Sequence, residues 1–260
     1  MKMSSICIKY LINSALVLCS CTTGEIEIEY VPGPYNVEQM YDENAPQPPV
    51  VTPSEDNVFA APPSDAVVIF DGSDLNQWTG RNNSEPKWNL GNGYFETVDG
   101  TGDIFTKMEF GSCQLHVEWA SPDEVAGSGQ DRGNSGVYLM GLYEIQVLDS
   151  YKNNTYPPGM AASVYGQNPP LVNASRPPGE WQSYDIVFHR PVFENGKVIK
   201  PAEVTVFHNG VLVQDNFKMI GATVYKKAPQ YTEHADKLPL MLQNHHNPVR
   251  FRNIWIREVQ

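Results

Sequence analysis

The sequence is poor in cysteine and in basic residues. Four of the 260 residues are cysteine, and 18 Lys and Arg stand against 30 Asp and Glu, which gives a formal net charge of −12. Because the chain has no basic stripe, we do not expect nucleic acid as a partner. The HExxH, CxxC and EF-hand spacings are also missing. The sequence therefore supports no metal and no cofactor, although a divalent cation bound by residues distant in sequence, such as Glu144 and His245, is left open.

The N-terminus resembles the signal of a bacterial lipoprotein. Positive charge precedes an apolar run, residues 10–18, that is shorter than the ~20 residues needed to span a bilayer. "LCSC" then places Leu18 at −3, Ser20 at −1 and Cys21 at +1 of a cleavage site. We therefore expect residues 1–20 to be a signal peptide and Cys21 to be lipidated. The protein would be exported and anchored to a bacterial membrane, with the outer membrane favoured; the alternative is a plain secretory signal.

The next segment, residues 21–66, has almost no basic character. From Thr22 to Ala66 there is no Lys or Arg, but there are nine acidic residues and several proline clusters. Such a composition buries little apolar surface. The composition predicts that residues 21–66 are an extended acidic tether outside the folded domain. This segment carries most of the net charge of the chain.

Residues 67–260 lack long stretches with the 3.6-residue apolar period of a helix. Their pattern instead predicts short strands. The candidate strands are 66–70, 94–98, 103–107, 113–120, 135–140, 143–149, 183–193, 202–215, 238–245 and 249–259. Asn209-Gly210 between two of them suits a type I′ hairpin turn. Short alternating strands with Gly and Pro turns favour an all-β antiparallel sandwich or barrel. Cys113, which has no disulfide partner after processing, is expected to be buried in a strand.

One strand combines apolar and polar faces in an informative way. In "GLYEIQVLDS" (141–150), Glu144 and Gln146 share one face, and Ile145 and Val147 lie on the other. Two long loops, residues 121–136 and 150–181, flank this strand and the one before it. Loops of that length are uncommon in compact domains unless they bind something. Aromatic and amide side chains suit a sugar, so the face is a candidate carbohydrate site; the alternative is the solvated side of an antiparallel sheet.

Six sequence blocks carry a family resemblance. They are "FDGSDLNQWTG" (70–80), "GYFETVDGTGDIFTK" (93–107), "GNSGVYLMGLYEIQVLDS" (133–150), "SVYGQ" (163–167), "PPGEWQSYDIVFHRPVF" (177–193) and "LMLQNHHNPVRFRNIWIREV" (240–259). Together they resemble the 3-keto-disaccharide hydrolase domain family over about residues 67–260. The resemblance implies a concanavalin A-like jelly roll with the ligand on the concave face of a sheet. His246 departs from the pattern, because a Gly is expected there, and this affects the predicted pocket shape near His245.

The resemblance also implies an activity, the cleavage of a glycosidic bond in a sugar oxidised to a ketone at C3. A base that removes the C2 hydrogen allows the C1 substituent to leave, so the site needs a base, an acid and donors for the enolate oxygen. We assign catalysis to Glu144 as acid or base, His245 as donor or base, and Arg132 as enolate stabiliser. The predicted substrate-binding residues are Gln146, Asp149, Tyr138, Asn134, Tyr165 and Gln243.

A second function uses the same face without turnover. The chain would then be a tethered carbohydrate-binding module, which the fold alone does not distinguish from an enzyme. An enzyme needs Glu144 within reach of a second titratable group and a stabilising donor, whereas a binding module needs only stacking aromatic rings and amides. His116 and Glu118 form another polar pair, on the strand 113–120. We expect that pair to lie on the solvated side of an outer strand.

Overall fold

The computed structural model describes residues 10–12, 15–22, 25–31, 35–55 and 61–259, and only the backbone within residues 10–31. The strands are β1 (Tyr10–Ile12), β2 (Ala15–Thr22), β3 (Glu25–Val31), β4 (Val67–Phe70), β5 (Trp78–Gly80), β6 (Asn89–Leu90), β7 (Phe95–Glu96), β8 (Ile104–Phe110), β9 (Cys113–Ala120), β10 (Ser135–Leu139), β11 (Tyr143–Val147), β12 (Gln182–His189), β13 (Val192–Glu194), β14 (Lys197–Lys200), β15 (Glu203–His208), β16 (Val211–Lys218), β17 (Leu238–Leu242) and β18 (Arg250–Glu258). The helices are α1 (Val37–Met40) and three 3-10 turns (Arg81–Asn83, Gly129–Asp131 and Pro157–Gly159). Within these described ranges, no helix has the length and apolar character to cross a membrane.

Two antiparallel sheets form the domain. One has the strand order β11-β10-β17-β8-β5, and the other has the order β16-β15-β12-β9-β18-β7-β6 with β4 added to β18. β1, β2 and β3 form a separate three-stranded sheet, and β13 pairs with β14. The predicted all-β sandwich is confirmed.

The core lies between the two large sheets. From one sheet, Ile145 and Val147 are fully buried, and from the other Leu115, Val117 and Trp119 are buried. Alternate residues of a strand point to opposite faces, so this pattern fixes which side chains must face outward. Cys113 is a free, buried cysteine at the start of β9, as predicted, and burial raises its pKa to about 12.

Turn chemistry agrees with the strand assignment. Asn209 and Gly210 have φ values of 52° and 77°, so both central residues of the β15–β16 turn have the positive φ that a type I′ turn requires. His246 also has a positive φ, 64°. That is the conformation a glycine adopts without cost, which explains why a Gly is expected at this position. The His246 side chain is exposed, and its Nδ1 lies 2.6 Å from Asp99 Oδ1.

The acidic segment differs from the predicted tether over residues 35–55. The backbone of residues 49–51 forms a bridge with Asn173: the Val51 N–H donates to the Asn173 carbonyl (2.9 Å), and the Asn173 N–H donates to the Pro49 carbonyl (2.8 Å). Pro53 is buried. The attachment of residues 35–55 could not be predicted from composition. It depends on backbone hydrogen bonds and a few tyrosines, and these produce no periodic pattern of apolar residues in the sequence.

The prediction that His116 and Glu118 are solvated is wrong. Both face away from the core on β9, yet His116 is 1% and Glu118 0% exposed. His116 Nδ1 lies 2.7 Å from Asp185 Oδ1, and Glu118 accepts from Arg252 Nε (2.6 Å) and Asn253 Nδ2 (2.7 Å). Burial disfavours the imidazolium, but the two carboxylates outweigh it and raise the pKa of His116 to about 9. A charged network, rather than water, covers this face.

Candidate functional site

The candidate site lies on the face of the β11 sheet that points away from the core. Because Ile145 and Val147 fill the core, Glu144 and Gln146 must point outward. The β10–β11 register places Tyr138 directly opposite Glu144 and Gly136 opposite Gln146. Gly136 leaves the room that the carboxylate needs, since a Cβ there would lie 2.5 Å from Glu144 Oε1.

A cavity of about 430 Å³ opens over this face, within the range of small-molecule sites, roughly 300–1,000 Å³. Its lining residues are Tyr41, Glu43, Gln130, Asp131, Asn134, Tyr138, Glu144, Gln146, Tyr156, Tyr165, Thr223, Val224, Tyr225, Lys226, Gln243 and His245. Seven residues predicted from the sequence are brought together here: Asn134, Tyr138, Glu144, Gln146, Tyr165, Gln243 and His245.

Glu144 is the buried acid of the cavity. Its side chain is only 2% exposed. Burial raises the pKa of Glu144 to about 8, and a hydrogen bond with the Tyr138 hydroxyl acts in the opposite direction. Burial also raises the pKa of Tyr138, and the neighbouring Glu144 adds to that shift. A carboxyl with a pKa near neutrality exchanges a proton readily at physiological pH, as a general acid or base must.

The amide of Gln146 helps to fix the position of this carboxyl. With its nitrogen directed at the carboxylate, Gln146 donates to Glu144 Oε1 (3.0 Å) and to the Ser135 carbonyl (2.8 Å). Gln130 Nε2, beside this amide, donates to Thr155 Oγ1 (3.0 Å) and to the Gly159 carbonyl (2.9 Å). Gln130 thus joins the 121–136 loop to the 150–181 loop at the wall of the cavity.

Tyrosines form another part of the cavity wall. The Tyr156 and Tyr165 hydroxyls are 2.7 Å apart. The ring of Tyr41 lies 4.9 Å from that of Tyr156 and 5.7 Å from that of Tyr225, measured between centroids. Burial raises the pKa of Tyr156 and of Tyr165, so both hydroxyls stay protonated at neutral pH. Such rings offer both an apolar face and a polar tip.

Arg132 and Asp149 do not line the cavity, contrary to prediction. Arg132 Nε bonds to Asp149 Oδ2 (2.7 Å), and Arg132 Nη2 donates to the Tyr151 carbonyl (2.9 Å). Both side chains are largely buried in this pair. They hold the start of the 150–181 loop and are not available to an enolate or a hydroxyl. The sequence could not reveal this pairing because it depends on the path of two irregular loops.

His245 and Lys226 supply nitrogen groups to the cavity. His245 is exposed and lies three residues beyond the end of β17, whereas the sequence predicted it as the last residue of that strand. Lys226 belongs to the 223–226 loop. The other lining residues that sequence reasoning missed are Gln130, Asp131, Tyr41, Glu43, Tyr156, Thr223, Val224 and Tyr225. The richness of the long loops in Gln, Asn and Tyr pointed toward Gln130 and Tyr156; nothing in the sequence pointed to Tyr41, Glu43 or the 223–226 loop.

In the part of the chain that the structure describes, no three His, Cys, Asp or Glu side chains come together to hold a metal ion. Glu144 and His245 do line the same cavity. The arrangement as a whole is a β-sandwich that holds one buried carboxyl at the base of a cavity lined by amides and tyrosines.

Comparison with known proteins agrees with this architecture. Residues 65–257 match the family model of the 3-keto-alpha-glucoside-1,2-lyase-like domain, and the chain belongs to that family. The family resemblance identified from the sequence blocks is therefore confirmed.

Two solved structures, both of proteins from Parabacteroides distasonis ATCC 8503 named provisionally as glycosyl hydrolases, are similar. The first has 43% sequence identity and a TM-score of 0.76, with 83% of this chain and 94% of that chain covered. The second has 19% identity and a TM-score of 0.56, covers 75% and 94% of the two chains, and supports the fold alone. The sequence has no match among curated proteins.

Proposed function

We propose that this protein cleaves the glycosidic bond of 3-keto glycosides, with Glu144 as the base. The observation that carries the proposal is the burial of Glu144 in a saccharide-sized cavity, where its pKa is about 8. The name of the family and the provisional naming of the 43%-identical relative as a glycosyl hydrolase support the same class of reaction.

The reaction begins at C2 of the sugar. The ketone at C3 acidifies the C2 hydrogen, and Glu144 takes that proton while the electron pair of the C2–H bond moves into an enolate. The enolate collapses, the C3 carbonyl re-forms, a C1–C2 double bond forms and the C1–O bond breaks. The proton held by Glu144 is then available to the departing oxygen, and water added across the double bond completes a net hydrolysis.

The other lining residues have distinct roles in this scheme. Tyr138 and Gln146 contact Glu144 and set the direction of its carboxylate. Lys226 and His245 supply donors for the enolate oxygen, the role that the sequence had assigned in part to Arg132. Asn134, Gln243, Tyr165 and Tyr156 offer hydrogen bonds and ring faces to the sugar. Direct displacement by two carboxylates would instead need a matched pair flanking the bond.

The same cavity could serve a carbohydrate-binding module without turnover. A binding module gains nothing from a buried carboxyl with a raised pKa, because burying such a group costs free energy. Glu144, in contact with the titratable Tyr138, therefore favours the enzyme.

The test is release of 4-nitrophenol from a 4-nitrophenyl 3-keto-glucoside, in both anomers, and from the unoxidised parent glycosides. We expect release from a 3-keto glycoside only, reduced ~10²–10⁴-fold in Glu144→Gln. Binding of both compounds without release from either would show a binding module instead.

A further inference from the structure

The cavity includes two residues from outside the family domain. The family match begins at residue 65, yet Tyr41 and Glu43 line the same cavity as Glu144 and Gln146. We infer that residues 35–55, here called the docked segment, form part of the substrate site, where Tyr41 gives a stacking surface and Glu43 an acceptor for the hydroxyls of an uncharged saccharide. The inference deepens the proposed function and rests on it for the identity of the site.

Hydrogen bonds fasten the docked segment along its length. The Tyr35 hydroxyl donates to the Gly166 carbonyl. Gln47 Nε2 donates to the Thr155 carbonyl (2.9 Å), and the Val51 N–H donates to the Asn173 carbonyl (2.9 Å). All three acceptors belong to the 150–181 loop, which itself lines the cavity. The docked segment is therefore attached to the wall of the site over a span of many residues, at more than its two ends.

Tyr41 occupies a position prepared for it. Its hydroxyl accepts a hydrogen bond from the Lys226 N–H (3.1 Å), and its ring contacts Tyr156 and Tyr225. A Cβ on Gly166 would lie 2.6 Å from the Tyr41 hydroxyl, so a glycine there leaves the room that this hydroxyl needs. Tyr41 thereby joins the 150–181 loop to the 223–226 loop across one end of the cavity.

The charges of the cavity indicate the class of saccharide. Glu43 and Asp131 line it together with Lys226, while Glu144 is largely protonated at neutral pH. Acidic groups repel a uronate carboxylate, whereas they accept hydrogen bonds from neutral hydroxyls. The partly exposed ring of Tyr41 next to such acceptors suits the apolar face and hydroxyl edge of a neutral hexose. The docked segment should therefore favour uncharged over acidic saccharides.

The test measures binding in the full chain carrying Glu144→Gln, which slows turnover enough for calorimetry. The probes are a 4-nitrophenyl 3-keto-glucoside and its unoxidised parent. Adding Tyr41→Ala should raise Kd about 2–13-fold, since an aromatic contact contributes about 0.5–1.5 kcal/mol and about 1.4 kcal/mol is tenfold in Kd. Tyr41→Phe keeps the ring and should bind like the parent variant. Val50→Ala is the matched control, because Val50 is in the same segment but 77% exposed and outside the cavity.

A second comparison addresses Glu43 and charge selectivity. Glu43→Gln should reduce the preference for the glucoside over the corresponding 4-nitrophenyl glucuronide, while Glu38→Gln, on α1 and outside the cavity, should not. Melting temperatures of all variants separate lost contacts from lost folding.

The outcomes separate the inference from the proposed function. If 3-keto glycosides are cleaved but Tyr41→Ala binds them unchanged, the inference fails and the function stands. If the probes bind with the predicted dependence on Tyr41 but none is cleaved, the function fails and the inference stands. If no probe binds the wild-type chain, both fail.

Discussion

Glu144 is the base of the proposed reaction, and its surroundings determine its protonation. The carboxyl is buried beside Tyr138 and Gln146, and its pKa is about 8 instead of its ordinary 4.5. A residue that acts as a base works only in its ionised form. The position of its pKa therefore fixes how the rate depends on pH.

We predict that kcat/KM for a 3-keto glucoside rises tenfold per pH unit below pH 8 and levels off above it. Tyr138→Phe removes a hydrogen bond that lowers the pKa of Glu144, so the midpoint should move to higher pH. The measurement is a pH–rate profile of both proteins. A profile that falls as the pH rises from 6 to 8 would contradict the role of Glu144 as base, and an unmoved midpoint in Tyr138→Phe would assign the titration to another group.

A substitution at Gly136 tests the position of the Glu144 carboxylate instead of its charge. A Cβ at this position would lie 2.5 Å from Glu144 Oε1 and 2.8 Å from Tyr138 Cε2. Gly136→Ala must therefore displace the carboxylate, and a displacement of about 1 Å can reduce the rate ~10²-fold. The check is kcat/KM alongside the melting temperature. Wild-type activity in a folded Gly136→Ala protein would show that the position of Glu144 is not critical.

At the scale of elements, β9 and β18 carry the network that the sequence did not reveal. Period-2 alternation correctly placed His116 and Glu118 on the outward face of β9. It could not show that Arg252, Asn253 and Asp185 from neighbouring strands cover that face. Cross-strand partners depend on which strands pair, and that information is not local in the sequence.

Two arginines of β18 offer a matched comparison. Arg252 pairs with the fully buried Glu118 (2.6 Å), while Arg257 pairs with Asp65 at the surface (2.6 Å). Arg252→Ala leaves a buried carboxylate short of a donor and should lower the free energy of unfolding by about 1–3 kcal/mol. Arg257→Ala should cost at most about 1 kcal/mol. Urea unfolding measures both, and equal losses would contradict the network's role.

The correct site predictions concern residues on regular strands, and the incorrect ones concern residues at the ends of strands. Glu144, Gln146 and Tyr138 were predictable because they lie on regular strands, whose alternation fixes the face. Arg132 and Asp149 lie where strands give way to loops, and their mutual ion pair depends on loop conformation.

At the scale of the whole molecule, the chain order of blocks was sufficient to predict the sandwich and its family. The order of the blocks was not sufficient to predict the docked segment. The acidic and proline-rich composition of that segment shows only that it has little apolar surface of its own to bury. Docking adds partners from elsewhere in the chain. Residues 35–55 find those partners in the 150–181 loop, which composition could not indicate.

The cellular location of the protein is a prediction from its N-terminal residues. We propose that Cys21 is lipidated and holds the exported protein on a bacterial membrane. Cys21→Ser should then move the protein from the membrane fraction to a soluble exported fraction, or leave it unprocessed. Fractionation with mass spectrometry of the mature N-terminus checks this. A lipid-free wild-type protein would contradict it.

The most direct test of the central claim uses a 4-nitrophenyl 3-keto-glucoside that carries deuterium at C2. If Glu144 removes the C2 hydrogen, the sugar product in ordinary water loses its deuterium as fast as 4-nitrophenol appears, and Glu144→Gln slows both events together by ~10²–10⁴-fold. Incubation without enzyme measures spontaneous exchange. Release of 4-nitrophenol with the deuterium retained at C2 would contradict the elimination and with it the role assigned to Glu144.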